Sequence, residues 1–155
     1  MKKLFIVSVL VVVCLLACAS KKNLQDFSDV IGEEWRLLEV HVDGIFGREI
    51  LFDRNLLTRE GDGKIFTMSF DEQIVSGTGS PNLYSAPYTL GDDQSISIMV
   101  MRTTMMASLF EPEKLPEHQF FGYMQNVHTW QIVDGKFELL SNTEDGREVR
   151  LVFGL

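Results

Sequence analysis

Cysteine is almost missing from this chain: two in 155 residues, Cys14 and Cys18, both near the N-terminus. A disulfide framework or a thiolate metal site in the body of the chain is thereby excluded. Histidine is nearly as scarce, and His41, His118 and His128 include no pair at the spacing of a metal-binding helix. Their plainer reading is surface or partly buried structural histidine. Basic side chains are outnumbered, 14 Lys and Arg against 22 Asp and Glu, and the formal net charge of −8 makes nucleic acid an unfavourable partner. No apolar run reaches the roughly 20 residues that span a bilayer as a helix. What is present is a 45% hydrophobic, 10% aromatic composition, one domain's worth of core-forming material.

The N-terminus carries the clearest signal. Met1-Lys2-Lys3 is a basic start, and Leu4 to Leu16 is an apolar run broken only by Ser8, the layout of a secretory signal peptide. It ends in Leu15-Leu16-Ala17-Cys18, which resembles the bacterial lipobox, where the cysteine is acylated and the signal is cut in front of it. The expectation is a lipoprotein signal peptide at 1–17, a lipidated tether at 18–30 and a folded domain at 31–155. Cys14, preceded by Val13, leaves with the signal, and so do Lys2 and Lys3, which leaves 12 basic against 22 acidic side chains. Acyl chains contribute about 0.8 kcal/mol per buried methylene, so an anchor of several chains at Cys18 holds the domain at a membrane. Ala19 and Ser20, neither acidic, favour the outer membrane by resemblance to the sorting rule of enteric bacteria.

Beyond the tether the pattern is strand and turn. Trp35 to Val42 alternates, with Trp35, Leu37 and Glu39 on one face and Leu38, Val40 and Val42 on the other. Ile65–Phe70, Gln73–Gly77 and Leu83–Leu90 follow at short intervals. Ser95 to Arg102 is a further strand candidate, aligning Ile96, Ile98 and Val100 on one face. A single helix is expected at Glu117–Val127, where Glu117, Phe120, Phe121, Met124 and Val127 form a stripe and Pro116 suits a first-turn position. Asp134-Gly135 predicts a type I′ hairpin, and Glu144-Asp145-Gly146 repeats the device. The fold class expected is mainly β: a small antiparallel curved sheet or partly open barrel with one packed α-helix.

No motif specifies a reaction, cofactor or metal. Gly77-Thr78-Gly79-Ser80-Pro81-Asn82 matches neither a dinucleotide loop nor a hydrolase elbow, and reads as bulge or turn glycines. Glu33-Glu34 and Asp92-Asp93 are adjacent, so in extended chain their side chains point apart rather than converging on a substrate. Asn142 to Gly146 lacks the alternating oxygen ligands of a calcium loop. Met99-x-Met101 presents two thioethers to one strand face, a soft pair that suits Cu(I) or fills gaps beneath a helix. Phe66, Phe70, Tyr88, Phe120, Phe121, Tyr123 and Trp130 either line a pocket for a small apolar ligand or fill the core.

Taken in order, Trp35-Arg36-Leu37, then Gly77 to Asn82 leading to Tyr88, then Thr103-Thr104-Met105-Met106-Ala107-Ser108, then the helix and the strands around Trp130–Leu139 and Val149–Phe153, resemble the META domain family over about residues 33–154. The motif positions are Trp35, Gly77, Gly79, Ser80, Asn82, Tyr88, Thr104, Met106 and Ser108. Ser80 and Ser108 stand where many members carry cysteine, which implies loss of a stapling pair that typically contributes about 2–4 kcal/mol. The resemblance implies a barrel-like β domain in the cell envelope, linked to stress or antibiotic tolerance, with no established catalysis and no catalytic residues to carry over. Protein partners in the envelope are the expectation, with a small apolar ligand carrier as the alternative.

Overall fold

The computed structural model describes residues 26–58, 62–107 and 111–155. Ten strands run in chain order: β1 (Trp35–Gly44), β2 (Gly47–Asp53), β3 (Thr67–Phe70), β4 (Ile74–Thr78), β5 (Leu83–Leu90), β6 (Ile96–Ile98), β7 (Arg102–Thr103), β8 (Thr129–Val133), β9 (Lys136–Asn142) and β10 (Glu148–Gly154). Among the described residues one α-helix, α1, spans Glu117–Gln125. The strands form one antiparallel sheet in the order β6-β5-β4-β3-β1-β10-β9-β8, with β2 added to β1 and β7 to β5. Its ends curl toward each other, joined by a Ser95–Thr129 bridge and by the Ile96 and Trp130 amides, which donate to the His128 and Gln94 carbonyls. The result is a barrel with one unsealed seam, as the alternating pattern and lone helix predict.

Two departures of the sheet from simple alternation bear on the expected strands. Leu37 pairs Phe153 and Glu39 pairs Val152, so Leu38 is an extra residue in β1. This bulge shifts the pleat by one, and Trp35 and Leu37 before it and Val40 and Val42 after it all face the core. Glu39 therefore turns outward, contrary to the unbroken alternation, while Leu38 packs over Gly154.

The expected strand at Ser95–Arg102 is also interrupted. Met99 donates its amide to the Pro87 carbonyl, but Pro87 has no N–H to return, and the ladder lapses until Arg102 pairs Ser85. Ile96 and Ile98 are buried whereas Val100 is 82% exposed, so the three do not share an inward face. Met99 is exposed and Met101 half-buried against the core.

The helix ends two residues earlier than predicted, and Pro116 is its N-cap rather than a first-turn residue. The predicted stripe does face inward, with Glu117, Phe120, Met124 and Val127 buried. Asp134 and Gly135 adopt the positive φ angles of the predicted tight turn. At the second hairpin only Gly146 does so: the Gly146 amide donates to the Thr143 carbonyl and the turn runs over Thr143–Arg147, a longer closure than the first.

Phe137 sits at the centre of the barrel, in ring contact with Trp35, Phe70, Trp130 and Phe153. The two mouths are closed differently. At one, α1 lays Phe120 against Phe66 and Tyr84, with ring centroids 4.7 and 6.0 Å apart. At the other, a 3₁₀ turn at Phe27–Asp29 inserts Phe27 among Phe70, Tyr88 and Trp130 at 5.1–5.7 Å. Phe27 and Val30 are core residues, so packing begins within the segment read as tether.

Candidate functional site

The motif positions around the glycine-rich segment converge beside α1. β4 ends at Thr78, and Gly79-Ser80-Pro81-Asn82, with a cis bond before Pro81, turns the chain into β5. Against this turn lies Glu117, the first residue of α1 and only 8% exposed. Its Oε1 accepts hydrogen bonds from the Ser80 amide and, at 2.6 Å, the Asn82 amide, while Oε2 accepts from Asn82 Nδ2 at 2.6 Å. A buried carboxylate is costly unless its lone pairs are engaged, and three N–H donors engage this one.

Asn82 carries the network onward. Its Oδ1 accepts from Thr104 Oγ1 at 2.9 Å and from the Met106 amide at 2.6 Å, and its Nδ2 also donates to the Met106 carbonyl at 3.1 Å. Thr104 in turn pairs with Leu83 through its amide and hydroxyl. One asparagine thus ties the β4–β5 turn, the segment after β7 and the start of α1 into a single unit.

Both motif glycines are explained by close approach. A Cβ on Gly77 would collide with the Thr67 carbonyl and lie 2.9 Å from the Tyr84 hydroxyl, which donates to that same carbonyl at 2.9 Å. Burial drives the Tyr84 phenol well above its ordinary pKa, keeping it a donor. A Cβ on Gly79 would lie 2.5 Å from Glu117 Oε1 and 2.6 Å from Phe121 Cζ. Only glycine lets the turn close on the helix.

Trp35 and Tyr88 belong elsewhere. Trp35 is fully buried and donates Nε1 to the Val30 carbonyl at 3.0 Å; Tyr88 packs on Phe27 and donates to the Asp71 carbonyl at 2.6 Å. Burial and the nearby Asp71 and Glu72 charges raise the Tyr88 pKa. These two residues anchor the mouth opposite α1. Cys18 and Ser108 lie outside the described residues, so neither the anchor nor the Ser80–Ser108 pairing is placed.

Periodicity presents Glu117 only as a member of the apolar stripe. A carboxylate on the buried face of a helix, directly after proline, is the signal that singles it out. The histidines do not converge: His41 bonds Glu39 at 2.7 Å on the outer wall, with β10 and β9 between it and the strand that follows His128. Among the described residues no three His, Cys, Asp or Glu side chains group to hold a metal.

The Glu117 carboxylate thus accepts from three N–H donors and holds the β4–β5 turn against α1. The META domain family matches residues 28–153. Two solved structures are similar. One is a protein from Burkholderia xenovorans determined by NMR, 15% identical, with a TM-score of 0.52 over 81% of this chain and 83% of that one. The other is a DUF4847 family protein from Bacteroides vulgatus, 10% identical, with a TM-score of 0.49 over 79% and 93%. Comparison with curated proteins gave no match. The family match spans α1 and every described motif residue, and the chain belongs to the META domain family.

Proposed function

We propose that this chain is a non-catalytic lipoprotein of the bacterial envelope, anchored through acylated Cys18 to the outer membrane, that supports envelope stress or antibiotic tolerance by binding another envelope protein. The observation that carries the binding role is the β1–β2 hairpin. Its two turn residues, Ile45 and Phe46, are 92% and fully exposed, at the tip of the ten-residue strand β1. Strand register puts this tip beyond the α1 mouth, since Val42 pairs Val149 and Val149 pairs Ser141, whose hydroxyl bonds α1. The chain enters at the other mouth, through Phe27. An anchor upstream of Phe27 leaves the apolar tip on the side away from the point of attachment. Large apolar side chains at that position are more readily explained by a partner than by folding.

Interior packing supports this reading over the ligand carrier. Of the seven rings considered as pocket lining, Phe66, Phe70, Tyr88, Phe120 and Trp130 are buried against one another or neighbouring rings, while Phe121 is half-buried against Tyr84 and Phe120 and Tyr123 lies beside α1's outer groove. In-cell crosslinking of the full chain, wild type against Ile45→Ser/Phe46→Ser, tests the proposal. A discrete crosslinked envelope protein that disappears in the double variant supports it; no crosslinked species above background, or one unchanged in the variant, contradicts it.

A further inference from the structure

A groove of about 560 Å³ opens beside α1, between its outward face and the β9–β10 turn. Its floor is α1 at Gln119, Gly122, Tyr123 and Asn126; its far wall is Asn142 and the turn from Thr143 to Arg147. None of these residues takes part in the Glu117 network.

Three properties make it a site rather than a surface irregularity. The walls are fixed relative to each other, because the Ser141 hydroxyl of β9 donates to the Tyr123 carbonyl of α1 at 2.7 Å. The turn is braced by its own hydrogen bonds: the Arg147 amide donates to Thr143 Oγ1 and Arg147 Nε to Asp145 Oδ2, both at 2.9 Å. The floor is open at Gly122, where an added Cβ would meet nothing within 4 Å. A flat ring can therefore lie at backbone level against the helix.

The lining chooses the ligand. Asn126 and Asn142 line the groove, are exposed to solvent and make no side-chain hydrogen bond among the described residues, so their amides are available to a ligand as donors and acceptors. Tyr123 accepts from Gln119 Nε2 at 2.6 Å, which leaves its own hydroxyl proton to donate. Each of these groups both gives and takes hydrogen bonds, as the adjacent hydroxyls and acetamido groups of a sugar do. Of the ionisable lining, Arg147 is already paired with Asp145, Glu144 adds a second carboxylate, and His118 stands on α1 at the groove's edge, so no unpaired Lys or Arg faces an anion. The volume lies within the roughly 300–1,000 Å³ of small-molecule sites, but the convergent amides suit a polar occupant better than an apolar one.

We infer that this groove binds a neutral, hydroxyl- and amide-bearing saccharide. The site does not depend on the anchor or on the hairpin tip. Chitotetraose is a suitable probe, titrated calorimetrically into the full chain held in a detergent without a sugar headgroup, with inorganic phosphate as the anionic control. Saturable binding of chitotetraose, weakened about tenfold or more by Gly122→Leu, which fills the floor, is expected. Asn126→Ala/Asn142→Ala weakens binding similarly without filling the groove, and decides the question if Gly122→Leu does not fold. Absence of saturable binding at about 10 mM probe, binding unchanged in the folded variants, or displacement by phosphate overturns the inference.

Discussion

Glu117 and Asn82, 35 residues apart in the chain, are joined by two hydrogen bonds of 2.6 Å, one to the Asn82 amide and one to its side-chain nitrogen. The carboxylate sits at the start of α1, where the helix dipole also favours negative charge. Removing it strands three buried donors. Glu117→Ala is expected to cost roughly 3 kcal/mol in urea denaturation, and Glu117→Gln less, since one acceptor remains. Asn82→Asp places a second carboxylate against the first and destabilises strongly at pH 7. An unchanged midpoint in Glu117→Ala contradicts the clamp.

Two glycines are expected to respond in opposite directions. Gly77→Ala drives a methyl into the Thr67 carbonyl and breaks the Tyr84 contact, with an expected loss of about 2 kcal/mol or more. Gly122→Ala enters open space on a helix and is expected to stabilise by about 0.5–1 kcal/mol. Thermal unfolding of the two variants side by side checks the pair.

Tyr84 gives the chain an alkaline limit. Its folded pKa is raised by burial, so its contribution to stability is complete below the unfolded value near 10 and is lost as pH climbs above it. The wild type is expected to lose stability above about pH 10. Tyr84→Phe flattens that decline while costing roughly 1–3 kcal/mol at pH 7, because the Thr67 carbonyl loses its donor. Denaturation midpoints across pH 7–11 read both effects.

Phe27 closes the barrel mouth at which the chain enters. Phe27→Ala is expected to cost about 3–5 kcal/mol, the range for an aromatic removed from a core. A chain beginning at residue 31 is expected to be destabilised at least as much. If either unfolds at the wild-type midpoint, the segment is a tether without a packing role.

Sequence pattern exposes the architecture because most strands obey the period of two and the Asp134-Gly135 turn follows from backbone sterics. It fails where a local event resets the pattern. The Leu38 bulge lets both apolar sets of β1 face inward, which no fixed alternation anticipates. Pro87 interrupts a different strand, Ser95–Arg102, because the missing N–H acts on its neighbour across the sheet. The same non-locality hides the Glu117 site. Ser80, Asn82, Thr104 and Met106 are legible as motif positions, but the carboxylate that unites Ser80 and Asn82 comes from a helix that periodicity describes only as apolar. The groove is invisible for a related reason: α1 and the β9–β10 turn meet only in the fold.

The most direct test of the anchored-module account is intact-mass analysis of the membrane-extracted protein, wild type beside Cys18→Ala. The account predicts a wild-type chain that starts at Cys18 with acyl mass added, and no such species in the variant. A wild-type chain that retains residues 1–17, or begins at Cys18 without lipid, contradicts it.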